Sequence, residues 1–516
     1  MKHLPHLFAS TALLTSSFAD TPAEHLQQRN LAESAQSAES AKPVVVAKED
    51  ILDSFVRVNA TIQTFNAGQP WQRNNPLRRS GLGTLLSPTE IITTAEMVAN
   101  STYLELESAD SSESVQAKVL AIDYDANLAL LAPVNPAKNS FLNKKTPLEV
   151  ANAASLGDSV KVWQFENNGQ TLQTIAKIRA VDTASTFVPG AGFLTYILKG
   201  SMQSASSSFT LPVTRDGKLL AVLTSYDSED QISEATAPEI IQTFLRDARD
   251  NNYEGFPALG LATRVTSDIN FREYLGLTDR KGGLYISTVK EDSPAAKAGI
   301  EKADILLSVS GHPIDRQGYF QHPSYGPLPW TVLIRAQKNV GDKADFTILR
   351  DGKTMNVTAT LSAAEPPLVP KHINDSPPSF LIKGGLVFQE LSRTYLQAYG
   401  KNWSTRAPLT LMNVLENPED YEKDRTSLVF LSRVIPNPAT IGYDQLGSLI
   451  VNSANGKPVP NLAALAEALS KTPKNGVHTI EVDDSPGVIY LDGAMSDSVD
   501  QQLLQSGLPQ LSRIAQ

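Results

Sequence analysis

The chain has 516 residues, no cysteine, seven histidines and a formal net charge of −10. That length carries three domains of ordinary size, each able to bury its own core. The acidic balance and the lack of a Lys/Arg run exclude general binding to nucleic-acid phosphates, and the missing cysteines exclude a disulfide framework, so the folds rely on packing.

Met1-Lys2-His3, an apolar segment over 7–14 and then Ser17-Phe18-Ala19 have the layout of a signal peptide at 1–19 with a small-residue cleavage site. The layout predicts an exported protein, periplasmic or secreted. No later apolar run reaches the length of a membrane span, so none is expected. Residues 20–49, rich in Ala, Ser, Gln and Glu, read as a flexible or partly helical leader whose first strand signal is Val44-Val45-Val46. From 50 to 250 short strands dominate, at 55–62, 83–86, 90–93, 115–121, 128–132, 160–163, 175–181, 194–197 and 219–224, before a helix over 238–249. Short strands at this spacing with little helix predict an antiparallel barrel or sandwich.

Residues 255–362 contain the most legible stretch, 282–315. Leu284, Ile286 and Thr288 alternate with Tyr285, Ser287 and Val289 in a β-branched and aromatic run, a strand pattern. Ser293 is an N-cap, Pro294 suits the first helical position and Gly299 suits a left-handed stop, which predicts a very short helix. A second strand over 305–309 and a turn at Ser310-Gly311-His312-Pro313 follow. This order resembles a PDZ domain, with Ala303 standing where that family usually has Gly and Asp304 kept. Past Pro366-Pro367 and Pro370, a weaker version of the same order recurs: strands at 385–388, 427–434 and 450–453, the Asn455-Gly456 turn, a helix over 462–469 and a strand at 488–491. Residues 365–495 are therefore expected to form a second, divergent PDZ-like domain. The tail, 496–516, is expected to be helical at 499–504 and otherwise loose.

A β-rich domain followed by PDZ domains resembles the HtrA/Deg serine proteases. Pro70-Trp71-Gln72-Arg73, Val119-Leu120-Ala121-Ile122, Gly255-Phe256-Pro257-Ala258-Leu259-Gly260, and the run from Pro377-Pro378-Ser379-Phe380 through Tyr395-Leu396 to Tyr399-Gly400 are similar to the plant-type branch with two PDZ domains. The resemblance implies a mainly β fold: a trypsin-like double β-barrel over 50–250, then two PDZ-like α/β domains. It also implies a Ser–His–Asp triad, and the chain departs from it at each part. In Ile92-Thr93-Thr94-Ala95-Glu96-Met97-Val98, Glu96 stands where the family has its His. In Asn127-Leu128-Ala129-Leu130-Leu131, Asn127 replaces the orienting Asp. Counting back from Asp216-Gly217 puts Ser208 at the nucleophile position, but the glycines that let backbone N–H groups form an oxyanion hole are gone. No His lies between residues 26 and 311, so the β domain has no imidazole of its own. A carboxylate of ordinary pKa is a poor base for a serine hydroxyl at neutral pH.

These departures predict a catalytically inactive homologue; the alternative is an active serine endopeptidase using Ser208 in a non-standard site. Peptide binding asks less. In the HtrA-type arrangement the loop Ala258-Leu259-Gly260-Leu261 would hold a peptide carboxylate, and Gly385-Leu386-Val387-Phe388 is the matching place in the second domain. The implied partners are peptide C-termini or unfolded proteins, within a homo-oligomer or an assembly with an active HtrA-like protease. The dispersed His and absent Cys give no metal-ligand spacing, and no cofactor is expected.

Overall fold

The computed structural model describes residues 50–136, 141–166, 168–202, 210–250 and 252–514. The signal peptide, the leader with its Val44-Val45-Val46 signal, and Ser208 lie outside the described residues. Among the described residues no helix is long and apolar enough to cross a membrane.

The fold is mainly β. β1 (Phe55–Ile62), β2 (Leu77–Ser87), β3 (Glu90–Thr93), β4 (Ser101–Glu107), β5 (Ser114–Asp123) and β6 (Leu128–Pro133) close into a barrel in the order β1-β2-β3-β6-β5-β4, with the one-turn helix α1 (Ala95–Val98) between β3 and β4. β6 is apolar throughout and buried throughout, because its two faces meet different cores. Leu128 and Leu130 join the interface with the second barrel; Ala129 and Leu131 fill the first.

β7 (Ser159–Phe165), β8 (Thr171–Ala184), β9 (Phe193–Lys199), β10 (Leu211–Arg215), β11 (Lys218–Asp227) and β12 (Ile232–Thr236) close the second barrel. Its anchor is Trp163, fully buried, whose Nε1–H donates to Thr214 Oγ1 at 2.8 Å and so ties β7 to β10. Helix α2 (Pro238–Ala248) starts with Pro238 at its first turn, as the sequence predicts.

The first PDZ domain contains β13 (Pro257–Ala258), β14 (Leu261–Arg264), α3 (Ile269–Tyr274), β15 (Leu284–Val289), α4 (Pro294–Lys297), β16 (Ile305–Val309), β17 (His312–Pro313), β18 (Tyr319–His322), β19 (Gly326–Pro329), α5 (Val332–Arg335), β20 (Lys343–Arg350), β21 (Lys353–Thr360) and β22 (Ser362–Ala363). The main sheet runs β14-β15-β16-β20-β21. Ser293 caps α4 by accepting from Ala296 N–H, as expected from sequence. Ala303, in the place where the PDZ pattern has glycine, keeps the left-handed conformation at φ 77°. Its neighbour Asp304 is buried and paired with Arg350 at 2.7 Å.

The second domain comprises β23 (Phe380–Lys383), β24 (Leu386–Glu390), α6 (Arg393–Gln397), α7 (Trp403–Arg406), α8 (Leu409–Glu416), β25 (Val429–Val434), β26 (Leu449–Ala454), β27 (Lys457–Pro458), α9 (Leu462–Leu469), β28 (Val477–Val482), β29 (Val488–Asp492), α10 (Gly493–Gln505) and β30 (Ser512–Arg513). Here one expectation is corrected: the tail is not loose. Its helix is longer than the sequence suggested, and β30 returns to pair with β23, Arg513 opposite Phe380 and Ser512 opposite Leu381. The driving force is apolar: Leu503, Leu508 and Leu511 pack on Phe380, Ile382 and Val387.

The first PDZ domain shares a core with the second barrel. The β18–β19 hairpin inserts Tyr325, only 4% exposed, between them. Its hydroxyl donates to Glu239 Oε1 at 2.7 Å and shares a 2.8 Å hydrogen bond with Tyr196, which in turn accepts from Ala154 N–H.

Candidate functional site

The pairing of β3 with β6 sets Thr93 opposite Ala129, so the residues leaving β3 and those entering β6 meet at one end of the first barrel. Glu96 and Asn127 are therefore neighbours. Thr94 caps α1 by accepting from Met97 N–H, and Asn127, at φ 54°, turns the chain into β6. The contact between these two residues runs through the backbone: Glu96 N–H donates to Asn127 Oδ1 at 2.8 Å. Asn127 is 1% exposed, and its Nδ2 has no hydrogen-bond partner among the described residues. Arg79 donates to the Glu96 carbonyl oxygen.

Burial pushes the Glu96 carboxyl above the usual range, and the Arg79 charge opposes this. Its folded pKa is therefore above its unfolded one, so ionised Glu96 costs stability at pH values above that range and nothing below it. Glu96→Gln is expected to match the wild type near pH 4 and to be more stable than it at pH 8, as urea unfolding at the two pH values would measure.

Ser208 is outside the described residues, but the chain just after it is placed. Thr210 shares a 2.7 Å hydrogen bond with the hydroxyl of Thr94, and its carbonyl accepts from Leu82 N–H at 3.2 Å. Thr210, two residues after Ser208 in the sequence, thus lies beside the N-cap of the helix bearing Glu96.

Sequence reasoning missed a segment that packs on the loops next to this pair. Residues 371–375, at the start of the second domain, lie as a strap against Tyr124, Asp125 and Asn100. Lys371 Nζ pairs with Asp125 Oδ1 at 3.1 Å, and the His372 ring packs on Tyr124 with centroids 4.4 Å apart. Asn100 N–H donates to Asp375 Oδ1 at 2.6 Å and Asp375 N–H to Asn100 Oδ1 at 3.0 Å; Tyr124 also donates to Asp375. Both clasps fall near the pair in sequence: Asp125 is two residues before Asn127 and Asn100 four after Glu96. A cleft of about 230 Å³ remains beside the strap, lined by Phe65, Phe187, Val188, His372 and Tyr395. That is smaller than ordinary small-molecule pockets, which start near ~300 Å³.

In the first PDZ domain, the loop 258–261 is held at both ends. Ala258 pairs with Ser362 and Leu261 with Val289. The Leu259 carbonyl accepts from Ala295 N–H and the Gly260 carbonyl from Lys290 N–H, at 3.0 and 2.9 Å. In planar trans peptides the N–H points opposite to the C=O, so the Gly260 and Leu261 N–H groups face away from these partners. Two successive donors turned outward are the start of an anion nest. Leu259 itself is core, 7% exposed, and Leu261 is half-buried at its edge. In the second domain, only Gly385 of Gly385 to Phe388 lies in a loop; Leu386 to Phe388 belong to β24, which is paired on both sides, to β25 and to β23. Among the described residues no three His, Cys, Asp or Glu side chains gather as metal ligands.

Comparison with known proteins agrees with this architecture. Residues 257–361 and 369–507 each match a family model described as PDZ domain. The chain is 24% identical over 477 residues to the chloroplastic Protease Do-like 2 of Arabidopsis thaliana, covering 90% of this chain and 76% of that protein. It is 24% identical over 420 residues, 79% of this chain and 77% of the other, to a probable periplasmic serine endoprotease, DegP-like, of Ectopseudomonas mendocina. Among solved structures, an HtrA-type protease, AlgW with a decapeptide, aligns with 61% of this chain and 97% of its own at a TM-score of 0.45 and 16% identity.

Proposed function

Because the chain belongs to the HtrA/Deg type, a trypsin-like double barrel followed by two PDZ domains, we propose that it is an exported homologue whose barrel no longer cuts and whose first PDZ domain captures peptide C-termini or unfolded chains in envelope protein quality control. The observation that carries the reading is the pair Glu96–Asn127. The base position holds a carboxyl, and the residue behind it spends its only acceptor on the Glu96 backbone N–H. At these two positions there is no imidazole to take the proton of a serine, and no carboxylate behind it to orient an imidazole and stabilise the imidazolium as in a triad. Capture is supported by the outward N–H pair at Gly260 and Leu261, and by β14, whose outer edge is open to an added strand. Assembly with further copies, or with an active HtrA-like protease, would bring several such loops together.

Two observations favour an active peptidase instead. Burial raises the Glu96 pKa, which makes it a better base than a solvated carboxylate, and the strap sets an imidazole, His372, on Tyr124, three residues before Asn127. One experiment separates the readings: fluorophosphonate labelling and casein degradation by the mature protein and by Ser208→Ala, Glu96→Gln and His372→Ala. The expected result is neither label nor cleavage in any of the four. Activity lost in Ser208→Ala would overturn the inactive reading, and its loss in one of the other two would identify the base.

A further inference from the structure

The two PDZ domains differ at the edge where a peptide would add. In the first, β14 ends the sheet. In the second, the corresponding strand β24 carries β23 on that edge, and β30 lies beyond. We propose that β23 is a built-in ligand: the peptide groove of the second PDZ domain is filled in cis by Phe380–Lys383, so that the first domain alone is open to peptides from outside.

Direction is the first argument. A C-terminal peptide adds antiparallel to the groove strand with its carboxylate at the loop preceding that strand. β23 runs the same way, with Leu381 opposite Phe388, Ile382 opposite Val387 and Lys383 opposite Leu386. Its C-terminal end enters the loop as continuous chain, through Gly384 and Gly385 at φ 58° and 91°, a two-residue turn that L-residues with a Cβ adopt poorly.

The loop's own groups are the second argument. A free carboxylate would need the loop N–H groups, yet Gly384 N–H already donates to Asp500 Oδ1 at 2.7 Å. Asp500, on α10 and 6% exposed, also pairs with Lys383 Nζ at 3.2 Å, so an internal carboxylate stands where the peptide's would be. Asn437 closes the other side: its Nδ2 donates to Gly384 O and Ile435 O, and a Cβ added to Gly385 would sit 2.1 Å from it.

Side-chain packing is the third. A PDZ peptide drops a side chain between the groove strand and the facing helix. Leu381 does this here, in one cluster with Leu386 and Phe388 of β24 and Leu462, Leu465 and Leu469 of α9. The far edge of β23 is sealed as well, since Ile382 N–H donates to Leu511 O at 2.7 Å.

The proposal rests on the capture reading only for what the first domain binds, and amide deuterium exchange on the full chain tests it without any peptide. Segments 380–383 and 386–390 are expected to exchange together, each slowed by roughly 100-fold or more relative to an unstructured chain. Fast exchange of 380–383 beside a slow 386–390 would overturn it. In a second measurement, a fluorescent random-sequence peptide library with free C-termini is titrated onto the wild type and Gly260→Val. Loss of all saturable binding in Gly260→Val agrees with a sealed second groove, and a site that survives it would overturn the proposal. A wild type that binds no peptide while 380–383 stays protected overturns the capture reading and upholds the sealed groove.

Discussion

Tyr325→Ala is expected to cost about 4 kcal/mol of unfolding free energy, the range for truncating a large buried aromatic, and to split a single urea transition into two. The ring is 4% exposed, meets Tyr196 edge-on at 6.0 Å and is stacked on His322 at 4.4 Å, so its removal opens a cavity where barrel and PDZ domain share their core. It also takes away the hydroxyl that donates to Glu239, whose second oxygen, Oε2, already lacks a partner among the described residues. Tyr325→Phe separates the two effects. It keeps the ring and removes the donor, at a cost of about 1–3 kcal/mol for an orphaned buried acceptor. The sign with pH follows from Glu239, which burial raises and the Tyr325 hydrogen bond lowers. Without that bond its folded pKa rises further above the unfolded value, so the added cost appears above the unfolded pKa and is absent below it. The Phe variant should therefore be nearly as stable as the wild type at pH 4 and clearly weaker at pH 8. A single transition at wild-type midpoint in Tyr325→Ala would mean that the hairpin does not join the two domains.

How much of this was legible depended on whether the signal was local. Ser293, Pro294 and Gly299 specify α4 through a cap, a fixed φ and a left-handed stop, all within the stretch 293–299, and they read correctly. β1 and β3 read to the residue, because apolar runs there end at polar ones. β10 did not, for it opens on Leu211-Pro212, and proline in a short run argues against a strand. β12 buries Ser233 and Thr236, so its pattern is not apolar. At the site, Glu96 and Asn127 were identified by their place in a resemblance, and strand register put them together. The strap was invisible. Lys371 to Asp375 sit among prolines and read as a connector, and no periodicity tells which surface a connector crosses. Tyr325 was equally hidden, since His-Pro-Ser-Tyr-Gly-Pro has turn composition while its partner Tyr196 is 129 residues away. The cis pairing of β23 follows from the same limit: Gly385 to Phe388 reads as a strand and Phe380 to Lys383 does not, and edge order is a tertiary fact.

Gly260→Val should abolish capture of peptide C-termini, with affinity falling by two orders of magnitude or beyond detection in fluorescence polarisation. Two independent strains converge on the position. At φ +73° a side chain is disfavoured by about 1–2 kcal/mol, and more for a β-branched one. A Cβ would also lie 2.3 Å from Ser293 Cβ. That neighbour cannot give way cheaply, because Ser293 donates to Lys290 O at 2.7 Å and caps α4. The loop must move instead, and with it the carbonyls that fix the Gly260 and Leu261 N–H groups. The control is Gly299→Ala, which shares the conformation at φ +80° but meets nothing within 4 Å. It should lose about 1 kcal/mol of stability through backbone strain alone and keep its affinity. If both variants lose binding in step with stability, the effect is global and the loop is not the site. If Gly260→Val binds as the wild type does, the outward N–H pair holds no carboxylate, and the edge of β14 must take its ligands, if any, by a different end.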